Sequence, residues 1–316
     1  AALIQTGLSN APDSANVPLF VYYPVNRAVL DIPIRIRTRH EFTQLSAYEK
    51  TGTDFRTFFE WFRDQEDYEN EKNRFVAPLF TDPFCEDKNL AAVRKAVYGF
   101  LPSFSDLKIQ RRPLKMVVRK TNISDSYITL NSAHSVLEIN QLSDGEKNLL
   151  ALVGDLARRF ALTNPGLENP LKGEGIVLID EIELHLHPAW QRSVIPHLSA
   201  TFPNCQFVLT THSPQVLSEA EHAAVFGCSW DVEGITAERI HTYGQESNRI
   251  LEDIMDTSAR PASIQNAIRE YFGLIDEGRL NEAMMIRKRL EDAIGPDDPE
   301  FARADTLIWR KELLGR

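Results

Sequence analysis

The sequence predicts an α/β fold: a parallel-sheet core with an antiparallel meander and a helical insert, followed by a C-terminal helical tail. Three observations carry that prediction. Two apolar runs, Ile176-Val177-Leu178-Ile179 and Phe207-Val208-Leu209, flank a helical pattern, and a β-α-β unit of this length implies parallel strands with a right-handed crossover. Between residues 114 and 140, short apolar runs are set off by polar turns, as in a meander. Beyond Gly244 the apolar residues recur at helical spacing.

The bulk numbers bound the answer. With 316 residues, 43% hydrophobic and 25% charged, the chain can hold one large or two ordinary globular domains. No apolar run approaches the ~18 residues that span a bilayer, so no membrane partner is expected. A net charge of -10 excludes a surface that is polyanion-binding as a whole. Locally, Arg111-Arg112-Pro113-Leu114-Lys115 with Arg119-Lys120 is the candidate DNA or RNA contact, a solvated strand edge being the competing explanation. Cys85, Cys205 and Cys228 are spaced neither as a disulfide framework nor as a zinc site, and a cytoplasmic setting is expected.

Element by element, Leu19-Phe20-Val21-Tyr22-Tyr23 reads as a strand ended by Pro24, and Ile32, Ile34 and Ile36 alternate as in a second one. Phe55, Phe58, Phe59 and Phe62 share one helix face. The continuation Glu66-Asp67-Tyr68-Glu69-Asn70-Glu71-Lys72 is polar all round, as in an exposed helix or the root of an inserted arm. Leu90, Val93, Val97 and Phe100 mark another helix, which Pro102 breaks. The meander comprises Met116-Val117-Val118, then Tyr127, Ile128 and Leu130, then Val136, Leu137 and Ile139, with turns at 122–125 and 131–135. A helix from Glu146 carries Leu149, Val153, Leu156 and Phe160 on one face. The run 176–179 is apolar throughout, as expected of a parallel strand buried on both faces. Pro188 suits the first turn of the next helix, with Trp190, Val194 and Leu198 as its buried stripe. In the tail, Ile264, Ala267, Ile268, Tyr271 and Phe272 line one helix, residues 280–294 form a second, and 301–314 a third. Its apolar stripes exceed what three short helices are expected to cover for one another, which marks the tail as a candidate partner surface.

Four groups carry chemistry. Asp180 and Glu181 follow an apolar strand, the edge at which α/β sheets place ligand sites. The first can hold Mg²⁺ through oxygen and retained water; the second can orient or deprotonate an attacking water. His212 ends the second strand run and can donate to a phosphate oxygen. Ser143-Asp144-Gly145-Glu146 is a capping box, and a helix N-terminus so formed offers amide donors to a phosphate, with Gly145 permitting close approach. Glu183, His185 and His187 alternate as E-x-H-x-H, either a transition-metal site or a turn that meets an opposing subunit.

Leu142-Ser143-Asp144-Gly145-Glu146, the run 176–181, Leu184-His185-Leu186-His187-Pro188 and Thr210-Thr211-His212-Ser213-Pro214 together resemble the ABC ATPases of the RecF/SMC/OLD-nuclease class. The string Val21-Tyr22-Tyr23-Pro24-Val25-Asn26-Arg27, the aromatic helix and the tail look more narrowly like the PtuA-type ATPases of Septu anti-phage systems, also found with some retrons. The resemblance implies an ABC-ATPase head that uses ATP and Mg²⁺. Asp180 is then the metal ligand, Glu181 and His212 are catalytic, and Ser143 and Gly145 bind nucleotide across a homodimer. It also implies higher oligomers and an HNH nuclease partner of PtuB type. The expected division is 1–45 as a remnant of an N-terminal ATPase lobe, 46–113 as the insert, 114–245 as the lobe with the three motifs, and 246–316 as the tail. A phosphate loop, G-x-x-x-x-G-K-[ST], is absent from the 316 residues, and the chain is expected to be the later part of a longer protein. A DNA-repair ATPase of RecF or SMC type and a non-hydrolysing scaffold are the competing readings.

Overall fold

A computed structural model describes residues 15–25, 42–48, 55–76, 86–121, 135–232 and 234–314. The expected strand through Ile32, Ile34 and Ile36 and the middle meander strand at 127–130 lie outside these residues. In chain order the first part holds β1 (Leu19–Tyr23), α1 (Phe55–Val76), α2 (Lys88–Phe100), β2 (Phe104–Arg111), β3 (Leu114–Lys120), β4 (Ser135–Glu138) and α3 (Asp144–Thr163). It continues with β5 (Gly175–Ile179), α4 (Pro188–Thr201), β6 (Cys205–Leu209) and α5 (Pro214–Ser218). Then come β7 (Val225–Asp231), β8 (Gly234–Ile240), α6 (Ser247–Asp253), α7 (Ala262–Asp276), α8 (Leu280–Ile294) and α9 (Pro299–Leu314). Two compact units result, one reaching Val225 and including His241–Gly244, the other made of Phe226–Ile240 and the chain from Gln245.

In the first unit, β1, β5 and β6 form a parallel sheet in that order, with Tyr23 beside Ile179 and Ile179 beside Leu209. The three strand ends are therefore level, and whatever follows them shares one edge. β2, β3 and β4 form the antiparallel sheet. The sequence pattern does not announce β2, because a bulge at Ser105–Lys108, with Asp106 at φ 51°, interrupts its alternation.

Helix α3 is the hub. The sequence shows one apolar face, yet nearly the whole helix is buried, including Asp155, Arg158 and Arg159. It packs against α1, α2 and β1, so no side is left for water. Gly154 is small because Phe58 of α1 lies on it: a Cβ there would come within 2.8 Å of the ring. The buried charges are paired: Asp155 accepts from Arg158 at 2.6 Å, from Arg159 at 2.7 Å and from the Tyr23 hydroxyl at 2.9 Å. Burial alone would raise the Asp155 carboxyl, but the Arg159 and Arg158 charges outweigh it and hold it below the usual range.

Three expectations need correction. Strand β5 is buried on one face only: Val177 and Ile179 are inside with Leu19, Val21 and Tyr23, while Phe20, Tyr22, Leu178 and Val208 are exposed. The acidic stretch of α1 is solvated on one side only: Asp67, Tyr68, Asn70 and Glu71 are exposed, while Glu66 and Glu69 are buried. Glu66 accepts from the Ile109 amide at 3.1 Å and from Arg111 at 2.9 Å, and Arg94 pairs with Glu69 at 3.1 Å, which offsets their loss of water. In the second unit, the tail stripes mostly cover one another. Tyr271, Leu274, Ile275, Ile286, Leu290 and Phe301 are its core, with Ile264, Ile268, Phe272, Leu307 and Ile308 packed on them. Met284, Met285, Trp309 and Leu313 stay exposed. The stripes over-count exposure because α9 closes over the α7–α8 pair.

Candidate functional site

The level strand ends set out the site. Asp180 directly follows β5, and its N–H donates to the Tyr23 carbonyl at 2.9 Å, prolonging the β1–β5 ladder by one bond. Thr210 directly follows β6, and its N–H donates to the Ile179 carbonyl at 3.0 Å. The Thr210 side chain then ties the two ends together. Its Oγ1 accepts from the Glu181 amide at 2.8 Å and donates to Asp180 Oδ1. Ile182, fully buried, returns a bond from its N–H to the Thr210 carbonyl at 3.1 Å. Asp180, Glu181 and the stretch leading to His212 thus form one hydrogen-bonded patch.

Glu181 has a left-handed backbone, φ 47°, which non-glycine residues seldom adopt. The geometry is held by the Thr210 bond on its amide and by the Leu184 amide on its carbonyl at 2.9 Å. Such strain collects at functional positions, where surrounding bonds fix it. Both carboxylates are half-buried, while His212 is exposed. The His212 amide donates to Glu183 Oε1 at 2.6 Å. Ser213 donates through Oγ to Gln191 Oε1 at 2.7 Å and caps α5.

The E-x-H-x-H run is not a metal centre in this geometry. Glu183 is committed to the His212 amide, His187 caps α4 by accepting from the Ala189 amide at 3.3 Å, and His185 is exposed with φ 62°. Among the described residues no group of three His, Cys, Asp or Glu is arranged to hold a metal. Asp180, with its hydroxyl neighbour, remains the oxygen donor suited to a hard ion that keeps most of its water.

Ser143 caps α3, whose first turn follows it. Its Oγ accepts from the Glu146 amide at 3.4 Å and Glu146 Oε2 accepts from the Ser143 amide at 3.0 Å, which makes the capping box, and Oγ also donates to Oε2 at 2.9 Å. Burial would raise the Glu146 carboxyl, but hydrogen bonds from Lys120 and Ser143 outweigh it and lower it. Asp144 points to its own helix, paired with Lys147 at 2.9 Å. Gly145 has a neighbour the sequence does not reveal: a Cβ there would lie 2.6 Å from the His185 carbonyl oxygen and 3.1 Å from the Trp190 ring. The turn at 143–146 and the segment through His185 are therefore packed together, which places the start of α3 beside the segment leaving Glu181. Sequence reasoning missed Thr210 and Glu183 as organisers of the site. The signal for Thr210 is its place one residue past a strand whose neighbour ends in Asp-Glu.

The candidate nucleic-acid patch is largely neutralised by its own chain. Arg111 pairs with Asp67 at 2.7 Å, Lys120 with Glu146 at 2.6 Å, Arg119 with Asp106 at 3.3 Å and Lys115 with Glu138. Among the described residues, no helix is long and apolar enough to cross a membrane.

Residues 29–218 match the family described as "AAA domain, putative AbiEii toxin, Type IV TA system". The chain is 32% identical to the "Retron Ec83 probable ATPase" of Escherichia coli, the alignment covering 99% of this chain and 67% of that one. It is 31% identical to the "Retron Vc95 probable ATPase" of Vibrio cholerae, over 84% of this chain and 59% of the relative. It is 28% identical to the Septu protein PtuA of Bacillus thuringiensis, over 56% and 47%. The chain thus spans about half to two thirds of the length of these relatives. Among solved structures it is similar to the SMC head domain from Thermotoga maritima, at 14% identity and a TM-score of 0.34, over 54% of this chain and 52% of that one. By the family match over residues 29–218 and the near-complete alignment with a retron ATPase, the chain belongs to the AAA-domain family that includes the retron ATPases and the Septu PtuA proteins.

Proposed function

We propose that this chain carries the hydrolytic residues of an ATP-driven sensor in an anti-phage defence complex, one that regulates a partner HNH nuclease from the cytoplasm. The observation supporting this most directly is the bonded patch of Asp180, Glu181 and Thr210 at one sheet edge, with His212 tied in through Glu183, in a chain related to retron and Septu ATPases.

In this reading Asp180 holds Mg²⁺, oriented by the Thr210 hydroxyl on Oδ1. Bound Mg²⁺ supplies charge neutralisation at the phosphates. Glu181, fixed by its strained turn, orients the attacking water and accepts its proton. His212 donates from its exposed imidazole to the terminal phosphate. Ser143 and the first amides of α3 face the nucleotide of a second copy, an anion suited to a helix N-terminus. Homodimerisation then completes two sites, and higher assembly brings in the nuclease. The self-pairing of the basic residues lends nothing to a DNA-repair reading.

The test is Glu181→Gln in the intact gene product. ATP should still bind while turnover falls by about 10²–10⁴-fold, because the amide keeps the shape but cannot take the proton. The ATP-bound dimer should accumulate, and DNA or RNA cleavage by a co-expressed HNH neighbour should change with it. Wild-type turnover in this variant would remove Glu181 from the mechanism. Cleavage indifferent to the variant would remove the nuclease from the pathway.

A further inference from the structure

We infer that Glu183 is a positioning residue, whose carboxylate fixes the main chain of His212 relative to Asp180 and Glu181. This inference deepens the hydrolytic reading above and rests on it for its functional half. Glu183 Oε1 accepts from the His212 amide at 2.6 Å, a charge-assisted bond of the short kind. Among the described residues its Oε2 is buried and accepts no hydrogen bond, so the side-chain bond they give this carboxylate goes to the residue whose side chain must find the phosphate.

The surroundings make this bond a register device. The Leu186 amide donates to the Glu183 carbonyl at 2.8 Å, which fixes the turn from which the side chain springs. Ile182, the preceding residue, is buried and bonded to the Thr210 carbonyl at 3.1 Å. Thr210 and Ser213 are held on either side of His212, by the strand-end bonds and by Gln191. The His212 amide is a further point at which the acidic turn grips the histidine segment. Any shift of the turn after Glu181 is thereby transmitted to the His212 main chain, from which the imidazole springs.

Two measurements on the intact gene product test this, and each can overturn it alone. Amide hydrogen exchange over residues 210–213 does not depend on hydrolysis. Glu183→Ala should speed exchange at His212 by roughly tenfold or more, since a local hydrogen bond is lost. Glu183→Gln, which keeps an acceptor oxygen, should restore most of the protection. Unchanged exchange in Glu183→Ala overturns the inference even if the protein turns over no ATP.

The second measurement is a cycle with His212→Ala. Glu183→Ala alone should lower kcat by about tenfold with KM for ATP within about twofold, as expected when a transition-state contact is displaced. Added to His212→Ala it should cost nothing more, because Glu183 acts through His212. Independent, multiplying losses overturn the inference. Full activity of His212→Ala instead overturns the hydrolytic role of His212, and exchange still decides whether Glu183 holds the segment.

Discussion

Gly145 and His185 meet backbone to backbone: a methyl group on Gly145 would sit 2.6 Å from the His185 carbonyl oxygen. The helix that Ser143 caps is thereby seated on the loop leaving the Asp180-Glu181 pair. The substitution Gly145→Ala should therefore destabilise, although alanine is the better helix former by about 1 kcal/mol. Displacing backbone costs about 1–3 kcal/mol, so the net effect is a loss, read as a lower urea midpoint. A stabilised Gly145→Ala protein would refute the contact.

Thr210→Val removes a hydroxyl that both accepts from the Glu181 amide and donates to Asp180. Stability should fall by only about 1 kcal/mol, the ordinary worth of a hydrogen bond, since Thr210 is exposed. ATP turnover should fall more than Thr210→Ser lowers it, because serine keeps the bridging hydroxyl. Equal turnover in the valine and serine variants would show that the bridge does not organise the carboxylates.

Asp155→Asn should cost about 3–5 kcal/mol, since it leaves Arg158 and Arg159 buried without their counter-charge. The Asp155 carboxyl is held below its ordinary 3.8 in the folded protein. Its stabilisation is thus fully present above that ordinary value and is lost as pH falls from about 4 through the lower folded value. Acid titration of unfolding should show this component in the wild type and lack it in Asp155→Asn. Parallel profiles below pH 4 would contradict the pairing.

Ser143→Arg should spare nucleotide binding by a single copy and abolish dimer-dependent hydrolysis, because a bulky cation blocks the contact across the interface. Mixed with Asp180→Ala, it should regain partial activity. Such a mixed dimer has one site carrying both defects and one carrying neither. Mixtures in which heterodimers form but no turnover returns would argue against shared sites.

The parallel β5–β6 pair, the cap at Ser143, α2, the stripe of α4 and the three tail helices were all legible in the sequence, because each rests on local periodicity or capping chemistry. Burial was less so. The apolar run of β5 reads as buried on both faces, yet Leu178 is 40% exposed, since apolar composition does not say which layers are present. Glu66 and Glu69 read as solvated because their partners Arg94 and Arg111 lie far along the chain. The same limit hid the links from Thr210 to Asp180 and from Glu183 to His212. A one-dimensional pattern names the residues at two strand ends but not the bonds between them.

The outer face of the parallel sheet has a colloidal consequence. Phe20, Tyr22, Leu178 and Val208 give it an aromatic and aliphatic surface, each residue 40–49% exposed. Salts excluded from protein surfaces strengthen the burial of such a face. In ammonium sulfate this chain should salt out early for its charge, and an environment-sensitive dye should brighten on it even while it is fully folded.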